Sequence, residues 1–137
     1  MDSASILLEG IVTKAQSPDR GLGDVAELLP YFREQGLDLK GFHPDPLVVS
    51  IAPKAMLLKK PLSVFKNVRW STGRVGDVSF FPCKMTFQGM PFFGFVYIDH
   101  SAVPDSKSIR IIAPPIALIK ADMQILVEID AQRASVA

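Results

Sequence analysis

The sequence predicts an α+β, mainly β domain: an antiparallel sheet of about six or seven strands, closed in part into a barrel or stacked as a sandwich, with one helix in the N-terminal half. Three observations carry this. Val78 to Ile98 holds six of the nine phenylalanines and one charge, Lys84, around a central Gln88-Gly89-Met90-Pro91, the pattern of a long aromatic hairpin. Met123, Ile125, Val127 and Ile129 alternate with Gln124, Leu126, Glu128 and Asp130, a period of two that marks a half-buried strand. One clear helical stripe among so many strand-like runs does not make the repeating strand–helix pattern of a parallel sheet. Closure removes the exposed edges of such apolar strands.

Taken in order, Ile6 to Thr13 reads as a first strand, ahead of the turn-forming Gln16-Ser17-Pro18-Asp19-Arg20-Gly21. Asp24 with Glu27 matches a capping box, and Val25, Leu28, Leu29 and Phe32 form the stripe of a helix lying on a core, with Gly36 placed to end it. Pro30 predicts either a kink or the start of a second short helix. Leu47 to Ile51 follows as a buried strand after the loop Phe42-His43-Pro44-Asp45-Pro46. Pro53 to Lys60 reads as a short helix bounded by prolines, Val64 to Trp70 as a short strand, and Ser71-Thr72-Gly73-Arg74 as the turn into the hairpin. With Gly89 and Met90 as the turn centre, Cys83 faces Val96 and His100 faces Ser79. Ser108 to Ile112 and Met123 to Asp130 complete the strands, and the residues after Asp130 read as a frayed tail.

At 137 residues and 15.0 kDa the chain suits one domain, residues 1–137. Fifteen basic against 14 acidic residues give a net charge of +1, far from the balance of a dedicated duplex-DNA binder. Hydrophobic residues make up 48% of the chain, enough to drive folding, and the mean hydropathy of +0.25 predicts apolar surface left over for self-association. Cys83 is the lone cysteine and no secretory pattern is visible, so a reducing, cytoplasmic setting is expected. The longest apolar run, Ile111 to Ile119, contains two prolines and is far short of the about 20 residues of a spanning helix.

No catalytic, metal or cofactor motif stands out. Cys83 and His100 are the residues that suggest a thiol with a base, but the hairpin register holds them roughly 13 Å apart. Asp99-His100 with His43 and Asp45 lacks any recognised ligand spacing. Gly21-Leu22-Gly23 is a fragment of an anion-binding loop without the full spacing or a lysine.

Two features bear on partners. Between Pro46 and Gly76 there is no acidic residue, while Lys54, Lys59, Lys60, Lys66, Arg69 and Arg74 are interleaved with Phe65 and Trp70. Cations beside aromatics are the ingredients of single-stranded nucleic-acid binding, with Lys59, Lys60, Phe65, Lys66, Arg69, Trp70 and Arg74 as the candidate contacts; an acidic protein is another fit. The hairpin, in turn, is apolar on both faces. Phe80, Phe92 and Val96 are assigned to one side of the pleat, while Phe81, Cys83, Phe93, Phe95 and Tyr97 also need cover. The expectation is a non-enzymatic binding or assembly module, a homo-oligomer, that self-associates through Phe81, Phe93, Phe95 and Tyr97. A single-stranded nucleic-acid binder and a small enzyme or ligand-binding barrel are the alternatives.

Overall fold

The computed structural model describes residues 4–16, 24–37, 39, 41–43, 45–100 and 106–137. The strands are β1 (Ser5–Lys14), β2 (Leu47–Ser50), β3 (Met56–Leu58), β4 (Ser63–Arg69), β5 (Val75–Phe87), β6 (Met90–Asp99), β7 (Ser108–Ile112), β8 (Gln124–Asp130) and β9 (Ala134–Val136), with the helix α1 (Asp24–Glu34) between β1 and β2. The main sheet runs β4-β5-β6-β7-β2-β1-β8, and β8 also pairs with β5. Six strands therefore close into an antiparallel barrel, β5-β6-β7-β2-β1-β8, and β4 is a side branch on β5.

The 13-residue β5 makes this possible. One of its edges is paired along nearly its full length with β6. The other is shared: Val75 to Phe80 pair with β4, and Cys83 to Thr86 pair with β8. Pro82 falls between the two partners. The Phe80 carbonyl accepts from the Leu62 N–H on the β4 side, and Pro82, two residues on, points its backbone to the same edge. A residue that lacks an N–H is tolerated where one neighbour has ended and the next has not begun.

The pleat sorts the hairpin residues into two cores. Phe81, Cys83, Met85, Phe87 and Val96 face the barrel interior, with Leu8, Val12, Leu47, Val49, Ile111, Ile125, Val127 and Ile129 from the other strands. Val78, Phe80 and Tyr97 face outward under α1, packing with Leu28, Phe32, Leu37, Leu39, Val68, Trp70 and Ile112. Phe80 meets Phe32 edge to face at 5.0 Å and Tyr97 at 5.8 Å between ring centroids. The expected grouping of Phe80 with Phe92 and Val96 is thus corrected. Phe80 pairs with Tyr97 and Phe81 with Val96, because directly opposed residues share a face and each pair here joins an even-numbered to an odd-numbered residue.

The hairpin turn is also one residue earlier than expected. Gln88 and Gly89 have φ of 50° and 77°, the two positive angles of a type I′ turn, whose twist matches that of the strands. Phe87 then opposes Met90, and Cys83 opposes Gly94 rather than Val96.

Most expected strands appear within a residue or two of their predicted bounds, and α1 runs unbroken through an exposed Pro30. Its end is a Schellman motif: Gly36, at φ 98°, donates to the Arg33 carbonyl, and Leu37 donates to that of Phe32. Two expectations fail together. Pro53 to Lys60 is not helical but contains β3, and the chain after Asp130 is not frayed but contains β9. Their backbones satisfy each other: Ala55 and Ala137 exchange both hydrogen bonds, and the Lys59 and Lys60 N–H groups both donate to the Arg133 carbonyl. The small β3-β9 sheet packs Met56, Leu58, Ala134 and Val136 against the interior at one barrel end. At the opposite end, Ala113, Ile116 and Ile119 close the core. Gln16 ties that segment down, donating to the Ala113 and Pro114 carbonyls and accepting from the Ile116 N–H. The turn expected over 16–21 lies almost wholly outside the described residues, as do the Gly21-Leu22-Gly23 segment and the Asp24 side chain.

Gly94 faces inward beside the end of β7, and a Cβ there would overlap the Ile112 carbonyl oxygen and press on Met85 Cε. Backbone cannot move aside as a side chain can. Gly94→Ala is therefore expected to destabilise the fold by about 1–3 kcal/mol in chemical denaturation.

Candidate functional site

The acid-free segment does not remain acid-free in space. Three carboxylates from other elements close on it. Glu27 of α1 accepts from the Ser71 N–H at 2.7 Å and from Ser71 Oγ at 2.5 Å, and these bonds hold its carboxyl below the usual range. Asp77 accepts from the Asn67 N–H at 3.0 Å. Asp99 of β6, its side chain 5% exposed, pairs with Arg74 at 3.0 Å.

Arg74 in turn lies 4.1 Å over the ring of Trp70, a cation–π stack inside the chain. Trp70 is 3% exposed, and Phe65 is half-buried between Phe32 and Phe80. Of the seven candidate nucleic-acid contacts, Lys59, Lys60, Lys66 and Arg69 are exposed; Phe65, Trp70 and Arg74 are engaged with the α1-side core and its rim. A bulge between Phe65 and Val68 in the ladder to β5, with Asn67 at φ 56°, deforms β4, whose other edge pairs with no strand among the described residues. Such a bulge discourages further strand pairing.

The four candidate self-association residues also separate. Phe81 and Tyr97 are 3% and 4% exposed, and Phe95 is half-buried against Phe42 and Phe80. Phe93 alone of the four points to solvent, 67% exposed. It stands on the outer wall of the barrel formed by β1, β8, β5 and β6, which α1 leaves uncovered. The ladders align Leu7, Glu128, Lys84 and Phe93 in one row across these strands, and Glu9, Leu126, Thr86 and Pro91 in the next. Leu7 is 61% exposed. Two shallow depressions, of about 340 and 230 Å³, lie on this same wall, one beside Phe93, Lys84 and Glu128 and the other beside Glu9, Thr86 and Leu126. Sequence reasoning found Phe93 but missed Leu7 and the Lys84–Glu128 juxtaposition. The odd-numbered positions of β1 carried a signal for Leu7, whereas the pairing of β5 with β8 had none.

Cys83 and His100 stay apart, since Cys83 opposes Gly94, six positions before His100, which follows β6. Burial pushes the Cys83 thiol up to about 12 from an ordinary value of 9.0. His100 Nε2 instead shares a 2.8 Å hydrogen bond with Ser79 Oγ. His43 Nδ1 accepts from the Asp45 N–H at 2.9 Å, and Asp45 pairs with Lys14 at 3.7 Å. Among the described residues no three histidine, cysteine or acidic side chains converge as metal ligands. No helix among them is long and apolar enough to cross a membrane. No protein-family model and no curated protein sequence matches this chain.

Two measurements check this geometry. Arg74→Ala strips a buried carboxylate of its ion pair and uncovers the indole. The expected outcome is a loss of about 2–4 kcal/mol with a red shift of the emission of the single tryptophan. For Cys83, the raised folded value means that the unfolded chain releases the thiol proton first as pH rises. Stability contributed by the neutral thiol is complete below pH 9.0 and is lost progressively towards pH 12. Denaturation of wild type and Cys83→Val across that window should show a steeper alkaline loss in wild type.

Proposed function

We propose that this chain is a non-catalytic assembly module that pairs with a second copy of itself through the outer wall of β1, β8, β5 and β6, centred on Phe93. The observation that carries the reading is the exposure of that phenylalanine, 67%, in a chain that buries its other hairpin aromatics in its own cores or leaves them half-covered. A large apolar ring left in water costs free energy that an interface recovers, and aromatic anchors dominate interface energetics.

The wall has the self-complementary character that a two-fold interface needs. Leu7 and Phe93 lie at the two ends of one row with Glu128 and Lys84 between them, so a two-fold partner meets apolar with apolar and acid with base. Neither Lys84 nor Glu128 forms an ion pair with a described residue; across the interface each gains one. The lone, buried Cys83 suits a reducing, cytoplasmic setting. The single-stranded nucleic-acid reading has weaker support, because it asks Trp70 and Phe65 to stack on bases while both rings are packed under α1.

Sedimentation at micromolar concentration is expected to show a species heavier than one 15.0 kDa chain. Phe93→Ser should weaken the association roughly 30-fold, the loss of about 2 kcal/mol that defines an interface anchor. Leu118→Ser, altering a residue 74% exposed away from the wall, should leave it unchanged. A monodisperse single chain throughout that range overturns the proposal.

A further inference from the structure

The basic segment regains a role once its position is separated from its aromatics. The run from Leu57 to Lys66 lies beside the β3-β9 end of the barrel. Leu57 is the outward residue of β3, with Met56 buried and Leu58 half-buried on the core side. On β4 the face opposite α1 begins at Leu62, whose N–H extends the ladder to β5, and continues through Val64 and Lys66. Leu57, Leu62 and Val64 are 54%, 51% and 46% exposed, and Lys59, Lys60 and Lys66 are exposed among them. Three aliphatic side chains and three ammonium groups thus share ten consecutive residues.

This surface is held in place. The Lys59 and Lys60 N–H groups both donate to the Arg133 carbonyl, and Arg133 Nη1 donates back to the Lys60 carbonyl at 3.2 Å, which fixes a fourth cation beside the lysines. None of the three lysines forms an ion pair with a described residue. Asp130, the described acid nearest Arg133 in the chain, accepts from the Gln132 N–H at 2.8 Å.

From this we infer that the β3-β9 end of the barrel is a docking surface for an anionic phospholipid bilayer. Charge complementarity alone fits any polyanion; the apolar component chooses. Aromatic faces stack on bases, and the aromatics of this segment are turned inward, whereas the exposed leucines and valine are aliphatic, the side chains that enter the boundary between headgroups and acyl chains. Lysines at such a surface hold anionic headgroups while their stems lie along the apolar layer. The site is on a different part of the barrel from the Phe93 wall and does not depend on self-association.

The test is co-sedimentation of the full chain with phosphatidylcholine vesicles containing or lacking phosphatidylserine. Binding is expected to the anionic vesicles alone and to fall with salt. Lys59→Ala with Lys60→Ala should weaken it about 30-fold, from roughly fivefold per cation near the surface. Leu57→Ser with Leu62→Ser should weaken it on the order of tenfold, a loss that a purely electrostatic contact would not show. Circular dichroism checks that both variants fold, and Leu118→Ser, at the opposite end of the barrel and 74% exposed, should bind like wild type. Absence of binding to phosphatidylserine vesicles overturns the inference. So does binding that ignores the leucine changes while a single-stranded oligonucleotide binds with the same lysine dependence, the outcome that assigns the surface to nucleic acid.

Discussion

The fold depends on one strand having more partners than a strand ordinarily has. β5 is hydrogen-bonded along one edge to β6 and along the other to β4 and then β8. The second contact with β8 closes the barrel, and the first holds β4 out to the side, where Phe65 and Val68 can meet α1. At Phe80 and Phe81 the two faces of β5 are therefore covered by the same chain. Burying a large apolar side chain contributes about 1.5–3 kcal/mol, so a strand with apolar residues on both faces is a strong driving force for whatever topology encloses it. There the barrel interior takes Phe81 and the helix takes Phe80, while Lys84 and Thr86 look out from the wall.

That arrangement explains why the Cys83 thiol is pushed above its ordinary range. Its thiol points into the barrel core with Met85 and Val96, where an ionised sulfur loses its hydration and gains no cation. It also explains the position of the polar groups that do converge. Arg74, Asp99, Glu27 and Ser71 collect where α1, the β4-β5 turn and the end of β6 come together. Their bonds tie the helix to the side branch; the chemistry is that of a fastening. The indole N–H of Trp70, the buried side-chain polar atom without a hydrogen-bond partner among the described residues, belongs to the same place.

Charge illustrates how far sequence proximity can mislead. The stretch from Pro46 to Gly76 has six cations and no acid, yet its C-terminal third is flanked in space by Glu27, Asp77 and Asp99. Ion pairs and hydrogen bonds form across tens of residues because folding brings elements together without regard to their order. What remains solvated and basic is the earlier part, from Lys54 to Lys66, whose first half is hydrogen-bonded to β9 and its flanks at the other end of the sequence. The proposed binding surfaces are correspondingly composite: the Phe93 wall draws on both ends of the chain and its middle.

The sequence by itself determined the elements that have a strong local signal. The alternation from Met123 to Asp130, the aromatic hairpin and the stripe of α1 each announce a burial pattern that any compact fold has to satisfy. The mainly β, antiparallel class follows from them. It misread β3 as a short helix and β9 as a frayed tail, because three-residue strands have too little periodicity to read and gain their stability from each other. It placed the hairpin turn one residue late, since Gln88 and Met90 are equally acceptable beside Gly89 until pairing chooses a register. Only the tertiary structure decided which hairpin face turned inward, that β8 returned to β5, and that Trp70 was covered while Phe93 was not. Those outcomes depend on non-local contacts, and the free energy of a non-local contact is a property of two segments that neither encodes alone.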